Sequence, residues 1–328
     1  MGFSTAVIGV GNMGRNHARL YSEIESADLV GVCDLNNSRA EKVALKFATK
    51  PFFDYKKMLD EVKPQVVSVA VPVSTHKKVV LDCFDAGCNV LVEKPIASCV
   101  DDALEMIARA RRAGLKFMVG HVERFNPVVL KLKELLEKNA VGKIFSVEAV
   151  RVGPLPAKNT DVGIAVDLAV HDIDIARFVL DCEVKRVFAE TQKNGFGKHE
   201  DLLTGLLRFE NGAICSLNVN WLTSMKVRKM TVTGEKGVLE LDYISQKMTL
   251  FKNKAFNYSE NFDRVSEGDF IGFAVEKKEP LRIELEHFVD CVREDKKPFV
   301  SGEEGVKALE VALALVESSK KQRAINLN

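Results

Sequence analysis

The chain has 328 residues, 46% of them hydrophobic and 28% charged, a make-up ordinary for a soluble globular protein and a length suited to about two domains. Its 47 basic and 46 acidic residues leave a net charge of +1, which argues against nucleic acid or an anionic membrane as partner. No apolar run approaches the ~20 residues that span a bilayer, and the N-terminal apolar run goes straight into a glycine turn, unlike a signal peptide.

The first predicted strand, Ala6 to Ile8, meets Gly9, Gly11 and Gly14 in the spacing G-x-G-x-x-G. A helical stretch follows, then a second apolar run, Leu29 to Cys33, that ends in Asp34. That order is what a dinucleotide site needs. The first Gly permits the tight turn, the second lets backbone approach a pyrophosphate, and the third lets helix and strand pack closely. The helix N-terminus, with Asn12 and Met13 in its first turn, presents N–H groups to the phosphates. Asp34 stands where a carboxylate binds the adenosine ribose hydroxyls, so NAD is the expected cofactor. A 2′-phosphate would meet like-charge repulsion there, making NADP the lesser choice, and Arg39 nearby softens that preference.

Strand and helix go on alternating to about residue 120, the pattern of a doubly wound parallel sheet. Ser38 to Ala48 is predicted helical, with Ala40, Val43, Ala44 and Phe47 on one face. A short strand at Phe52-Phe53 precedes a helix through Met58 and Leu59 that Pro64 breaks. Val66 to Val71 reads as a buried strand stopped by Pro72, and His76 to Ala86 as a helix closed by Gly87. Asn89 to Val92 is a strand that delivers Glu93-Lys94-Pro95. A helix from near Ser98, with Asp101 and Asp102 in its first turn, ends at Gly114, and Lys116 to Gly120 is the sixth strand.

The alternation then stops. Pro127 starts a helix over 128–138, and from Lys143 the strands become period-two and antiparallel-like. Leu202 to Phe209 and Ala213 to Trp221 flank Asn211-Gly212, a hairpin signal. Strands at 229–233, 237–242 and 247–251 extend this sheet, and helices at 281–293 and 303–319 close the chain. The stretch from Lys252 to Lys278 is polar and gives no assignment.

Seven cysteines form no C-x-x-C pair, and six histidines show no metal-site spacing. Neither a disulfide framework nor a metal is therefore expected, and a reducing cytoplasm fits. Ligands of such sheets bind beyond the C-terminal strand ends. The residues delivered there are Pro72 to His76, Glu93-Lys94-Pro95, and His121-Val-Glu-Arg-Phe-Asn-Pro127. Downstream, Asp167 and His171 stand four apart at the opening of a helix, on one face if the helix includes both.

These residues resemble the family of glucose–fructose oxidoreductase, inositol dehydrogenase and related sugar oxidoreductases. The glycine turn with His17 behind it, E-K-P at a strand end, and D-x-x-x-H downstream match in the right order, and the resemblance covers essentially the whole chain. It implies an α/β fold: a Rossmann domain over 1–121, then a substrate-binding α+β domain over 122–328 whose terminal helix can pack back on the first. The large open, mostly antiparallel sheet of the second domain would form a homodimer or homotetramer. The implied activity is reversible NAD(P)-dependent oxidation of a sugar or cyclitol hydroxyl, with Lys94, Asp167 and His171 catalytic. Pro72, His76, Glu93 and Lys94 would join the glycine turn and Asp34 in holding the cofactor.

The chemistry suits those residue types. Alcohol oxidation needs a base for the hydroxyl proton, and histidine titrates near neutrality. A lysine can stabilise the developing alkoxide, and Asp167 can orient the imidazole or bind the reacting hydroxyl. Whether Lys94 or His171 is the formal base stays open, since coupled groups share a proton. Residues 120–127, 151–154 and 161–171 look like the members that act on UDP-N-acetylglucosamine at the 3-hydroxyl. His121, Arg124, Asn126 and Arg151 then become substrate-binding candidates, arginine being suited to a diphosphate. The alternatives are a dehydrogenase of a free sugar or inositol, and a non-catalytic dinucleotide-sensing protein.

Overall fold

The computed structural model describes residues 2–155, 161–194, 198–253 and 268–327. Of the unassigned stretch Lys252 to Lys278, residues 254–267 lie outside the described residues. The chain divides into two compact units, Met1–Phe125 with Glu279–Glu310, and Asn126–Lys278 with Val311–Asn328. The units are thus discontinuous in sequence: residues 279–310 return to the first.

The first unit is built by alternation: β1 (Phe3–Ile8), α1 (Asn12–Glu23), β2 (Ala27–Cys33), α2 (Asn37–Lys46), β3 (Pro51–Phe52), α3 (Tyr55–Val62), β4 (Val66–Val69), α4 (His76–Asp85), β5 (Asn89–Glu93), α5 (Val100–Ala113) and β6 (Phe117–Gly120). The strands form one parallel six-stranded sheet in the order β3-β2-β1-β4-β5-β6. The order reverses at β1/β4, which places the switch point beside the glycine turn. Strands read as unbroken apolar runs because both faces are covered: Val66, Val67, Val69, Val90, Leu91 and Val92 are all fully buried. Asn36 caps α2 and Asp54 caps α3 through main-chain N–H groups, and Gly114 ends α5 in the left-handed region.

The second unit contains α6 (Pro127–Glu137), β7 (Ile144–Val152), α7 (Val170–Leu180), β8 (Val184–Gln192), β9 (Leu202–Phe209), β10 (Ile214–Asn220), β11 (Val227–Gly234), β12 (Gly237–Asp242), β13 (Lys247–Lys252) and β14 (Phe270–Phe273). Helix α8 (Pro280–Arg293) belongs to the first unit. Residues of α9 (Gly302–Lys321) up to Glu310 belong to it too, and the rest of α9 and β15 (Ile325–Asn326) belong to the second. The nine-stranded sheet runs β14-β13-β12-β11-β7-β10-β9-β8-β15, antiparallel except for the β7/β10 pair. The Asn211-Gly212 hairpin forms as predicted, with Ile214 opposite Arg208. Ala213, Cys215, Leu217, Val219 and Trp221 share the buried face of that strand. On the opposite face Phe188, Leu206 and Ile214 remain 38%, 49% and 37% exposed.

Candidate active site

In the first unit the turn after β1 follows from its glycines. Gly9 has φ +85°, and a Cβ there would strike the Ala70 carbonyl. A Cβ on Gly14 would collide with the Gly9 carbonyl oxygen, so this glycine sets how closely α1 packs on the sheet. Gly11 is different: a Cβ there would meet nothing within 4 Å. That leaves room for a ligand's approach. Gly11 caps α1 without a side-chain hydrogen bond, and the first turn carries no acid, a combination suited to an anion. Asn12 and Met13 are exposed there.

Asp34 is 9% exposed at the end of β2. It accepts from Val10 N at 3.0 Å and Asn36 N at 2.8 Å, and Arg39 Nη1 reaches both carboxylate oxygens, at 3.3 and 3.2 Å. These bonds fix the carboxylate, and Arg39 offsets part of its charge. The glycine turn, the uncapped helix and the anchored acid together fit NAD.

At the end of β5, Glu93 is 7% exposed and accepts from His17 Nε2 at 2.8 Å. His17 Nδ1 lies 3.0 Å from Ser68 Oγ, which lies 2.9 Å from Tyr21 Oη. One assignment satisfies the chain: Tyr21 donates to Ser68, Ser68 to Nδ1, and Nε2–H to Glu93. Burial by itself pushes the Glu93 carboxyl up; the hydrogen bond from His17 and the Lys94 charge overcome this and hold it below the ordinary carboxylate range. The second Glu93 oxygen accepts from the Lys94 main-chain N–H at 3.3 Å. Lys94 itself is half-buried, and its peptide bond to Pro95 is cis.

His76 is 1% exposed, with Nδ1 3.1 Å from the Pro95 carbonyl and Nε2 3.0 Å from that of Val71. Burial lowers its pKa, keeping it neutral. The ring ties the β4 and β5 ends together, and Pro72 is exposed beside it. His121 is 1% exposed just after β6, and Arg124 is 3% exposed with Nη2 2.7 Å from Glu304.

In the second unit, Asp167 lies in a π turn, Ala165–Ala169, that leads into α7. It is half-buried, while His171 in the first turn of α7 is 8% exposed. Helix α7 starts only at Val170, so Asp167 precedes it within the π turn and the two residues do not belong to one α-helix. Ahead of the turn, the Glu200 carboxylate lies against Gly163, where a Cβ would displace it, and accepts from Ala165 N at 3.3 Å.

Arg151 and Asp172, both 1% exposed, form a two-point ion pair, Nε to Oδ2 at 2.8 Å and Nη2 to Oδ1 at 3.0 Å. The guanidinium also lies 5.2 Å over the Tyr243 ring. Asn126 caps α6 by accepting from Val128 N and donates to the Tyr243 carbonyl at 3.2 Å. Arg151, Asn126 and Arg124 are thus all committed to protein groups. The sequence spacing also missed Glu284 on α8. Its signal was present: it falls on the apolar stripe of Leu281, Leu285 and Phe288, and it is fully buried.

Among the described residues no cluster of three or more His, Cys, Asp or Glu side chains can hold a metal ion, and no helix is long and apolar enough to cross a membrane.

Comparison with known proteins agrees with this geometry. Residues 3–121 match the oxidoreductase family with an NAD-binding Rossmann fold, and residues 129–240 match the GFO/IDH/MocA C-terminal domain. An inositol 2-dehydrogenase of Acidothermus cellulolyticus is 30% identical over 72% of this chain and 71% of its own. This chain belongs to the GFO/IDH/MocA oxidoreductase family. It is an NAD-binding dehydrogenase acting on CH–OH groups. A UDP-N-acetylglucosamine 3-dehydrogenase of Acidithiobacillus ferrooxidans is 27% identical over 94% of this chain and 95% of that protein. Its solved structure matches with a TM-score of 0.85 at 25% identity, covering 98% of this chain and 99% of that one. A myo-inositol 2-dehydrogenase of Thermotoga maritima is as near, 28% identical over 98% and 97%.

Proposed function

We propose that the protein oxidises a secondary hydroxyl of a nucleotide sugar, UDP-N-acetylglucosamine at its 3-hydroxyl, to the ketone. The observation that carries this reading is the likeness to UDP-N-acetylglucosamine 3-dehydrogenase along both whole chains. Bound NAD supplies the hydride acceptor. Gly9, Gly11, Asn12, Met13 and Gly14 hold the pyrophosphate, Asp34 the adenosine ribose, and Pro72 borders the nicotinamide side. Lys94 donates a hydrogen bond to the substrate oxygen as its charge develops. His171 or Lys94 takes the hydroxyl proton, and Asp167 orients the imidazole or the reacting hydroxyl. Glu93 and His76 hold the strand ends from behind. His121 completes the substrate contacts. The exposed sheet face with Phe188, Leu206 and Ile214 joins copies of the chain into a homodimer or homotetramer.

A second reading, oxidation of a free sugar or inositol, is favoured by one specific observation. The guanidiniums of Arg151 and Arg124 are engaged with Asp172 and Glu304, where a nucleotide sugar calls for arginines that reach its diphosphate. Following NADH absorbance with UDP-N-acetylglucosamine, myo-inositol and glucose as substrates separates the two. The lead reading expects turnover with the nucleotide sugar, with an added aminotransferase drawing the 3-keto product forward. Turnover with inositol or glucose and none with the nucleotide sugar overturns it.

A further inference from the structure

Helix α8 sets Glu284 on its apolar face, fully buried between Leu281 and Phe288. Both carboxyl oxygens are shielded from solvent, with no hydrogen-bond partner among the described residues. A carboxylate in such a place lacks water, donors and a counter-charge, whereas the neutral acid leaves only a weak dipole unmet. Burial, reinforced by the charge of Glu93, accordingly drives the Glu284 pKa well above the ordinary value.

The surrounding groups offer no relief. Helix α1 contributes His17 and Tyr21, both committed to Ser68, and at the surface Arg19 and Glu23, which engage Glu279 and Arg282. The turn over Val122–Phe125 contributes Glu123 and Arg124, the latter paired with Glu304. Strand β5 contributes Glu93, and Lys94 follows it. On α8 itself, Arg282 engages Glu23 and Glu286, and His287 Nε2 accepts from Phe299 N. Tyr21, at one end of the hydrogen-bonded chain, feels the charge of Glu284, and Glu284 feels that of Glu93, at the other end. Glu93 has donors from His17 and from the Lys94 main chain; Glu284 has none among the described residues. A lone negative charge shared between the two carboxyls therefore resides on Glu93.

We propose that Glu284 is a positioning residue for Lys94: it carries the proton, and Glu93 the charge, of a two-carboxyl pair that sets one negative charge at the strand end bearing the lysine. This rests on the reading of Lys94 as catalytic. Ionising Glu284 would set a second charge against Glu93 and Tyr21, upset the His17 hydrogen bond, and alter the field at Lys94.

Above the ordinary glutamate pKa the unfolded chain loses this proton and the folded chain keeps it, so the folded state binds more protons. Stability falls with rising pH by as much as tenfold in the folding equilibrium per pH unit, until the folded pKa is reached. Glu284→Gln removes that dependence. Denaturant unfolding of both proteins from about pH 5 to about pH 8 should show E284Q gaining steadily on the wild type; parallel curves overturn the proposal. Infrared spectra of the wild type at neutral pH should contain a buried protonated-carboxyl carbonyl band. Its absence there, or its persistence in E284Q, overturns it too, and the wild-type spectrum answers even if E284Q does not fold. The positioning role is read from kcat against pH: E284Q should extend activity to higher pH, and an unmoved profile refutes positioning. If Lys94→Ala stays active, the catalytic reading of Lys94 fails on its own, while the unfolding and infrared measurements still report the proton on Glu284.

Discussion

In the second unit a buried guanidinium and a buried carboxylate close on one another, Arg151 against Asp172, with two hydrogen bonds and a tyrosine ring beneath. In the first unit the buried carboxylate of Glu93 meets a chain of groups without fixed charge, His17, Ser68 and Tyr21, and its own charge helps raise the pKa of a second buried carboxyl, Glu284. The first arrangement is complete in itself. It fixes α7 at Asp172, the residue after His171, and leaves little for a ligand. The second carries an excess of acid over base next to a half-buried lysine, and that imbalance is what a site tuned for proton handling has and a framework lacks.

Removing one side of each arrangement tests this contrast. Arg151→Ala should have the largest effect, about 3–5 kcal/mol of stability in urea unfolding, because Asp172 is left buried and uncompensated. Replacing both partners with apolar residues should recover most of that loss. His17→Ala should cost less, about 1–3 kcal/mol, with turnover falling alongside as Glu93 loses its donor. A His17 variant as costly as Arg151→Ala would break the comparison.

The glycines sharpen it at the cofactor. Gly11→Ala meets open space, so its melting temperature should stay within the equivalent of about 1 kcal/mol of wild type, while NAD affinity measured by calorimetry falls about tenfold or more. Unchanged NAD affinity would remove the pyrophosphate assignment. The smallest effect concerns cofactor choice. Asp34→Ala should weaken NAD by several-fold, roughly 1 kcal/mol, and NADP by less, since Arg39 is then released toward a 2′-phosphate. Equal weakening would contradict the role given to Asp34.

Much of the first unit was legible because its signals are local. Apolar runs such as Val66-Val67 and Val90-Leu91-Val92, Gly and Pro punctuation, and the G-x-G-x-x-G turn each act within a few residues, and all six strands were located, with ends displaced by one to three residues. The Asn211-Gly212 hairpin was legible for the same reason. Strand β8 was not, because Lys185 and Arg186 interrupt its alternation where the ladder shifts register between Val184 and Arg186. Strand β15 is two residues long and pairs with β8 across the sheet edge. Within the candidate site, Glu93 and Lys94 stood out by their place at a strand end, while the roles of Lys94, Asp167 and His171 were what the family resemblance implies. Partners distant in sequence could not: Asp172 for Arg151, Glu304 for Arg124, Glu93 for Glu284. The π turn at Asp167 likewise follows from packing around Gly163 and Glu200, which no helical period encodes.

The central claim is that Lys94 acts on the substrate after NAD is bound. Lys94→Ala, assayed in one sample for NAD affinity and for the rate of NADH formation, tests it most directly. The account predicts NAD binding within about threefold of wild type and turnover reduced by about three orders of magnitude, some 4 kcal/mol of lost transition-state stabilisation. Turnover at the wild-type rate would contradict it.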